Sequence, residues 1–271
     1  MTAVPLITFL SDYGPWDEFV GVCHAVIARR CPSARVIDLG HGVPRHDVRA
    51  GALALRAALR YAPEGVHLAV VDPGVGGERR AVAARVALGE RVLVGPDNGL
   101  LAVAAAEFGG VVEAVDLSDS PECLRPISAT FHGRDIFAPV AAALADGATL
   151  AQVGEPLEPG TLTALALPHA RRDGETLIAH VLTTDVYGNV TLDATLEDLT
   201  ALGMHVGDAL AVTGPRAAAG AALARTFGDV PDGALLAYRD AGGSLALAVN
   251  GGSAAALLAL RRDDELVLRA G

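Results

Sequence analysis

The stretch VHLAVVDPGVGGERR, residues 66–80, decides the fold that we expect for the first half of the chain. Its aliphatic run up to Asp72 predicts a buried strand, and Pro73 ends that strand in a glycine-rich turn that closes on Arg79 and Arg80. Glycine-rich turns after a strand commonly bind phosphate through backbone N–H groups. However, Asp72 at the mouth of this turn would repel a phosphate. The segment is therefore either a plain turn or a site for a ligand that is not an anion.

Strands and helices alternate on both sides of this segment. Short β-branched runs predict six strands, namely PLITFL, ARVIDL, VHLAVVD, AVAARVAL, RVLVGP and VVEAVDL. The spacing of apolar residues predicts helices over Trp16–Arg30, Val48–Tyr61 and Ile136–Ala145. This alternation is typical of an α/β domain with a mostly parallel sheet flanked by helices.

The second half of the chain has a different pattern. Proline and glycine interrupt the sequence after residue 154, and the runs that follow, such as TLIAHVLTTD and SLALAVN, are short and strand-like. They predict a smaller domain that resembles a β-barrel. We therefore expect an α/β domain at 1–158, a linker at 159–173 and a β-rich domain at 174–271.

Composition narrows the function classes. The 271 residues carry a net charge of −11 without any basic block, which argues against nucleic acid and anionic membranes as partners. Cys23, Cys31 and Cys123 form no paired motif, so we expect them to be free and buried. The sequence has no secretory leader and no long apolar span, and the prediction is a cytoplasmic protein.

Polar residues gather in the loops that follow the predicted strands, where open α/β sheets bind ligands. The segments are SDYGPWDE (11–18), DLGHGVPRHD (38–47), DPGVGGERR (72–80), GPDNGLL (95–101) and TFHGRD (130–135). Together they would place carboxylates along one edge beside possible partners, namely Asp12, Asp17, Asp72 and Asp97 with Arg79, His132 and Asn98. Crowded carboxylates repel one another unless a positive or hydroxyl-rich group lies between them. The edge therefore suits a positively charged ligand that contains a ribose.

Structural roles are the alternative for each of these residues. Asp12 and Asp17 flank a predicted helix start, where carboxylates commonly cap backbone N–H groups. Asp97 is typical of a turn. A plain salt bridge between Asp72 and Arg79 would shape the loop without taking part in chemistry. Further structural or solvated residues in this interpretation are Glu78, Arg80, His132, His24, His67, His169, His180 and His205.

A metal-dependent hydrolase is the chief rival function. Hard ligands are available in His41, His46, Asp47, Asp72, His132 and Asp135. No HExxH-type spacing fixes two of them on one helix face, and an arginine in the same cluster would compete with a cation. We therefore predict no metal. A serine hydrolase lacks support, because the chain contains no GxSxG sequence.

Several motifs in order along the chain resemble one known family. SDYGPWDEFVG, DPGVGGERR, PDNGLL, TFHGRD, TTDVYGNV and LALAVNGG are similar to the motif series of the S-adenosylmethionine hydroxide adenosyltransferases, relatives of the fluorinase and chlorinase. The resemblance implies hydrolysis of S-adenosyl-L-methionine to adenosine and L-methionine, with no cofactor. It also implies a homotrimer whose pockets lie between the first domain of one subunit and the second domain of its neighbour. A module that binds the nucleoside without catalysis is the other alternative.

The resemblance assigns roles to individual residues. The catalytic trio falls on Asp72, Arg79 and His132, and either Asp72 or His132 would accept the proton of the attacking water. The implied substrate-binding residues are Asp12, Asp17, Asn98, Phe131, Gly133, Asp185, Tyr187, Asn189, Asn250 and Gly251.

Four positions depart from the family pattern. Asp72 and Val75 stand where the halogenases carry a tyrosine and a threonine, and the long insertion between AVAARVAL and RVLVGP is missing. The resemblance therefore implies water rather than a halide as the nucleophile. His46 replaces a common aromatic residue and Ala241 a common serine.

Overall fold

The computed structural model describes residues 4–271, which divide into two compact units at the boundary between Leu165 and Ala166. The strands of the first unit are β1 Leu6–Ser11, β2 Arg35–Gly40, β3 Gly65–Val70, β4 Ala81–Val86, β5 Arg91–Pro96, β6 Val111–Asp116 and β7 Glu155–Leu157. Its helices are α1 Phe19–Arg30, α2 Val48–Leu59, α3 Ala102–Glu107, α4 Ala138–Ala145 and α5 Leu150–Val153, with a π-helical turn at Gly133–Phe137 and a 3₁₀ turn at Pro159–Thr161. All six strands predicted here are confirmed.

One seven-stranded sheet organises the first unit, in the order β2-β1-β3-β5-β4-β6-β7. The pairings from β2 to β5 are parallel, whereas β4, β6 and β7 join in antiparallel fashion. Alternate residues of a strand enter different cores, because side chains on a strand point to opposite faces. Phe9 and Val70 pack in the core under α1 and α4, while Leu10 and Val71 pack in the core under α2. The parallel-rich sheet flanked by helices is thus confirmed.

The second unit contains a closed barrel. Its strands are β8 Arg171–Asp173, β9 Thr176–Thr184, β10 Val190–Leu192, β11 Ala209–Thr213, β12 Ala218–Leu223, β13 Leu235–Arg239, β14 Leu245–Val249 and β15 Glu265–Ala270. The short helices α6 Leu196–Thr200 and α7 Ala254–Leu257 and a 3₁₀ turn at Phe227–Asp229 connect them. Pairing of β9 with β10 closes seven strands, β10-β14-β13-β12-β11-β15-β9, and β8 extends the sheet beside β9. The predicted barrel-like domain is confirmed.

Two local predictions need correction. The helix predicted from Trp16 begins at Phe19, because the residues after Pro15 form bends and leave the Trp16 side chain 93% exposed. The helix predicted from Ile136 is the α-helix Ala138–Ala145, preceded directly by the π-helical turn. The three cysteines are free and buried, as expected. Within residues 4–271, no helix combines the length and the apolarity that a membrane span requires.

Candidate active site

A crevice of about 500 Å³ lies at the carboxyl ends of the parallel strands in the first unit. The loops after β1, β2 and β3 form it together with the segment before the π-helical turn, as the sheet topology predicts. Its lining residues are Asp12, Tyr13, Asp17, Phe19, Arg45, His46, Val70, Asp72, Val75, Thr130, Phe131 and Gly133. Five predicted site residues therefore share one cavity, namely Asp12, Asp17, Asp72, Phe131 and Gly133.

Asp72, Arg79 and His132 form a connected trio beside this crevice. The Arg79 Nε lies 3.0 Å from both carboxylate oxygens of Asp72, and its Nη2 donates a further hydrogen bond to Asp72 Oδ2. The same Nη2 lies 2.7 Å from His132 Nδ1. Only Asp72 of the three lines the crevice. The carboxylate therefore faces the cavity, and Arg79 connects it to the imidazole.

Burial strengthens the ion pair in this trio. The Asp72 side chain is 5% exposed and that of Arg79 11%, so solvent screens their attraction weakly. The guanidinium also lies 5.3 Å from the centre of the Phe137 ring, within the range of a cation–π contact. A buried carboxylate needs such a partner, because an unpaired charge in this position would be strongly unfavourable.

The hydrogen bond from Arg79 determines which ring nitrogen of His132 carries the proton. A guanidinium only donates hydrogen bonds, so Nδ1 of His132 must accept, and the neutral ring then carries its proton on Nε2. Burial and the neighbouring Arg79 charge lower the pKa of His132 below its ordinary value, which favours this neutral form. The lone pair that would make His132 a base is therefore occupied by Arg79.

Two glycines let the segments around the trio approach closely. Gly76 in the loop after β3 has a φ of +75°, and an added Cβ would lie 2.1 Å from the carbonyl oxygen of Ala129. At Gly133 an added Cβ would lie 2.0 Å from the Tyr13 hydroxyl. The glycine at each position is therefore required by contact with a neighbouring segment.

Asp12 holds a neighbouring loop of the crevice and caps no helix. Its Oδ2 accepts a hydrogen bond of 2.8 Å from the backbone N–H of His46, a residue with a φ of 64°. The cap position of α1 is Glu18, without a side-chain capping bond. The capping alternative for Asp12 is therefore wrong, and its carboxylate ties the loop after β1 to the loop after β2 at the crevice.

Asp97 and Asn98 have structural contacts outside the residues that line the crevice. Asp97 accepts hydrogen bonds from Arg80 Nε at 2.8 Å and from Thr163 N at 2.7 Å. The Asn98 amide donates to Val71 O at 2.9 Å and accepts from Leu100 N at 3.1 Å. Arg80 is thus paired, which corrects its interpretation as a solvated residue.

The second unit has a groove of its own. It is lined by Asp185, Tyr187, Asn189, Phe227, Tyr238, Val249, Gly251 and Gly252. Asp185 accepts hydrogen bonds from the backbone N–H groups of Tyr187 and Asn189, both at 2.9 Å, so its carboxylate shapes the turn. Asn250 lies outside the lining and donates to Val230 O at 3.0 Å.

The sequence analysis missed several lining residues. Tyr13 and Arg45 lie in loops that were quoted without a role, Phe19 is the first residue of α1, and Phe227 and Tyr238 lie in the second unit. Tyr13 packs edge-on against Phe131, with ring centres 5.8 Å apart. Burial, followed by nearby Cys23, Asp12 and Asp72, raises the pKa of the Tyr13 hydroxyl, which keeps it neutral. The signal in the sequence that could have identified such residues is an aromatic residue next to an acidic residue in a loop.

The rival set of metal ligands is not assembled. Asp47 caps α2 through a bond from Ala50 N, and Asp135 is paired with Arg134 Nε at 2.6 Å. Across residues 4–271, the one group of three side chains whose ligand atoms lie within 4.8 Å of one another is His24, Asp38 and His41.

Comparison with known proteins gives consistent matches. Sequence models of the SAM hydroxide adenosyltransferase N-terminal and C-terminal domains match residues 7–154 and 179–267. The (R)-S-adenosyl-L-methionine hydrolase of Salinispora tropica is 50% identical over 275 aligned positions, covering 100% of both chains. That of Thermus thermophilus is 43% identical and covers 94% of this chain and 96% of its own.

More distant and structural relatives agree with these matches. The fluorinase of Nocardia brasiliensis is 31% identical and covers 93% of this chain and 92% of its own. A crystal structure of an uncharacterized conserved protein from Thermotoga maritima has a TM-score of 0.90 at 38% identity, covering 97% of this chain and 99% of that one.

Proposed function

This chain belongs to the SAM hydroxide adenosyltransferase family, and on that basis we propose that it hydrolyses S-adenosyl-L-methionine to adenosine and L-methionine. The observation that carries the proposal is the hydrogen-bonded trio of Asp72, Arg79 and His132, whose buried carboxylate lines the crevice. Relatives with 43–50% identity over nearly the whole chain bear the name of this hydrolase.

The charge of the crevice supports this substrate. Asp12, Asp17 and Asp72 line it beside a single arginine, Arg45, and carboxylates attract the positive sulfonium and ammonium groups of S-adenosyl-L-methionine. The same charges disfavour a halide anion, because Asp72 and the apolar Val75 line the wall of the cavity. Water is uncharged and can accept or donate hydrogen bonds there. The crevice therefore favours hydrolysis over halide transfer.

In the proposed reaction, a water molecule attacks the ribose C5′ opposite the sulfur. The C5′–O bond forms as the C5′–S bond breaks, and the bonding electron pair leaves with sulfur, which becomes the neutral thioether of methionine. The attacking oxygen becomes strongly acidic as it bonds to carbon, so a weak base is sufficient to remove its proton. Holding the water in line can supply about 7–11 kcal/mol of the barrier.

We assign the proton acceptor to Asp72. It lines the crevice, whereas the Nδ1 lone pair of His132 receives the hydrogen bond from Arg79. Arg79 positions the carboxylate through contacts to both oxygens, and His132 positions Arg79. A positioned base contributes on the order of 10²–10⁴ in rate.

The barrel groove is our candidate for the adenine and amino-acid parts of the substrate. Tyr187 is 76% exposed there and presents an aromatic face on which a base can stack. We propose that a neighbouring subunit of a homotrimer supplies this groove to the crevice.

A direct assay tests the reaction. Pure protein is incubated with S-adenosyl-L-methionine in ¹⁸O-labelled water, with and without a chelator. The products are then separated by chromatography and their masses are measured by mass spectrometry. We expect adenosine labelled at its 5′ oxygen, together with unlabelled methionine. For Asp72→Asn we expect a turnover at least about 10²-fold lower, with substrate binding retained. Binding without products, or full turnover in this variant, would contradict the proposal.

Mixed assemblies test the shared site. Asp72→Asn damages the crevice, and Tyr187→Arg places a cation in the groove. If neighbouring subunits form each site, coexpression of these two inactive chains restores activity. The intact crevice of the Tyr187→Arg chain can then combine with the intact groove of an Asp72→Asn chain. If both parts belong to one chain, every site keeps one damaged half and activity stays absent. Light scattering should give three chains of 27.6 kDa.

A further inference from the structure

Three side chains with metal-binding chemistry meet outside the catalytic trio. His24 comes from α1, Asp38 from β2 and His41 from the loop after β2. The Nε2 atoms of His24 and His41 lie 2.8 Å and 3.0 Å from Asp38 Oδ1. All three ligand atoms lie within 4.8 Å of one another. Two imidazole nitrogens and one carboxylate oxygen are therefore close enough together to bind one ion.

His41 is held in the orientation that a ligand needs. Its Nδ1 lies 2.7 Å from the Ser11 hydroxyl, and its ring packs edge-on against Phe9 with ring centres 4.7 Å apart. The second nitrogen of a metal-binding histidine is commonly fixed by a hydrogen bond of this type. The bond to Ser11 leaves Nε2 to face the cluster.

The Nε2 atom of His41 is buried and lies 3.0 Å from Asp38 Oδ1, in a contact that lacks the alignment of a good hydrogen bond in the part of the chain that the structure describes. The same carboxylate oxygen lies 2.8 Å from His24 Nε2. A buried polar atom without a well-aligned partner needs an explanation. An ion bound by the three side chains would give His41 Nε2 such a partner.

We propose that His24, Asp38 and His41 bind a divalent transition-metal ion, with Zn²⁺ as the best fit. Two neutral imidazoles and a carboxylate form a typical ligand set for zinc, with a fourth position for water. Calcium and magnesium prefer oxygen ligands and suit this set poorly. The cluster is partly exposed, at 35% for His24 and 43% for Asp38, so an ion can enter from solvent.

The site would stabilise the loops that carry Asp12. The carbonyl oxygen of His41 accepts a hydrogen bond of 2.8 Å from Gly14 N, and farther along the same loop His46 N donates to Asp12. A bound ion would tie this loop to α1 and β2. Its role is structural, because none of the three ligands lines the crevice. No metal was predicted from the sequence, because no spacing places two ligands on one helix face; these three ligands come from separate elements.

Metal titration tests the proposal. Protein stripped with EDTA and dialysed is titrated with Zn²⁺ against a chromophoric chelator, and with Co²⁺ to record the visible bands of a bound ion. We expect one equivalent of either metal and a Tm that rises with the concentration of free Zn²⁺. His24→Ala removes a ligand on a partly exposed helix face. We expect at least about 100-fold weaker binding, since changing only a hydrogen-bond partner of a ligand already costs about 10–100-fold.

His205→Ala is the matched control. His205 is exposed and lies 4.0 Å from Asp208, a lone histidine–aspartate pair in the other unit. Its loss should leave the affinity and the cobalt spectrum unchanged. The proposal is overturned if the chain binds no stoichiometric metal, or if His24→Ala binds it as tightly as the parent protein. Neither result would affect the proposal that the protein hydrolyses S-adenosyl-L-methionine, since none of these ligands belongs to the catalytic trio.

Discussion

The crevice of the α/β unit and the groove of the barrel use their charged groups in opposite ways. In the crevice, the Asp72 carboxylate is buried and held by the side chain of Arg79, seven positions later. In the groove, Asp185 is exposed and bonds to the backbone and side chain of its own turn, including Asn189 Nδ2 at 2.8 Å. Tyr187 at the tip of that turn stays exposed.

Under the proposed function, this difference assigns the reaction to the crevice and substrate binding to the groove. Buried ion pairs act in a low-dielectric environment and hold a fixed geometry, which suits a reacting centre. An exposed turn with an aromatic tip offers contact area and adapts to a ligand. We therefore expect changes in the crevice to lower kcat and changes in the groove to raise KM.

The largest effect should follow Arg79→Met. Removing the guanidinium leaves the buried Asp72 charge unpaired, which costs about 3–5 kcal/mol of stability, and it releases both Asp72 and His132 from their positions. We expect kcat to fall at least about 10³-fold, since positioning and proton acceptance are lost together.

Arg80→Met is the matched control for this prediction. Arg80 also pairs with an aspartate that is 5% exposed, Asp97, but neither residue of that pair contributes to the trio. Urea unfolding and steady-state kinetics on both variants should show destabilisation in each and loss of kcat in Arg79→Met alone. Equal losses of kcat would remove the special role of Arg79.

A second prediction concerns acid stability, which should differ between the units. Burial, with a smaller contribution from Arg91, lowers the pKa of His67 in β3 to about 4. The histidine of the unfolded chain has a pKa near 6.5. The contribution of neutral His67 to the free energy of unfolding is therefore fully present above about pH 6.5, and it declines by up to about 3 kcal/mol as the pH falls toward 4. His67→Leu should remove this decline.

Hydrogen exchange measured by mass spectrometry reports the stability of the α/β unit separately from that of the barrel. The measurement is made between pH 7.5 and 4.5 and is corrected for intrinsic exchange rates. His169→Ala, at an exposed position, should keep the pH dependence of the parent protein. A decline of the same size in His67→Leu would show that other groups cause it.

The contact between Tyr13 and Gly133 gives a third prediction. In Gly133→Ala the new methyl group would collide with the Tyr13 hydroxyl, and we expect a loss of about 1–3 kcal/mol of stability with reduced kcat. Tyr13→Phe in the same chain should restore part of both. Gly21→Ala in α1, where no atom lies within 4 Å of the added Cβ, should not destabilise the protein. A missing rescue would show that the hydroxyl is not the obstacle.

The smallest effect should follow Tyr187→Ala in the groove. Loss of one stacking face should raise KM about tenfold, the order expected for an aromatic–base contact, with kcat nearly unchanged. Tyr61→Ala removes a tyrosine of similar exposure, 79% against 76%, from the α/β unit and should change neither constant. A drop in kcat without a change in KM would place Tyr187 in the chemistry and weaken the division between the two regions.

Sequence reasoning succeeded where the physical signal is local. The strands of the α/β unit are rich in valine and isoleucine, and their order along the chain placed the polar loops at one sheet edge. Strand β12, with the sequence AAGAAL, was missed because alanine and glycine have low strand propensity, and its pairing with β11 decides its structure.

Contacts between distant segments could not be predicted in the same way. The pairing of Arg80 with Asp97 and the meeting of His24, Asp38 and His41 depend on how helices and loops pack on the sheet. Asp72, Arg79 and His132 were assigned through the family resemblance, because no single spacing joins residues seven and fifty-three positions apart. Their roles in turnover stay predictions until the variants are measured.

The π-helical turn at Gly133–Phe137 sets the register between His132 and the helix that follows. Ala138 N bonds to Gly133 O, five residues back, so this turn accommodates one residue more than an α-helical turn would. Each residue of an α-helix turns the chain by about 100°. Deleting a single residue here would regularise the helix and swing His132 away from Arg79, so an ordinary helix at this point is incompatible with the trio.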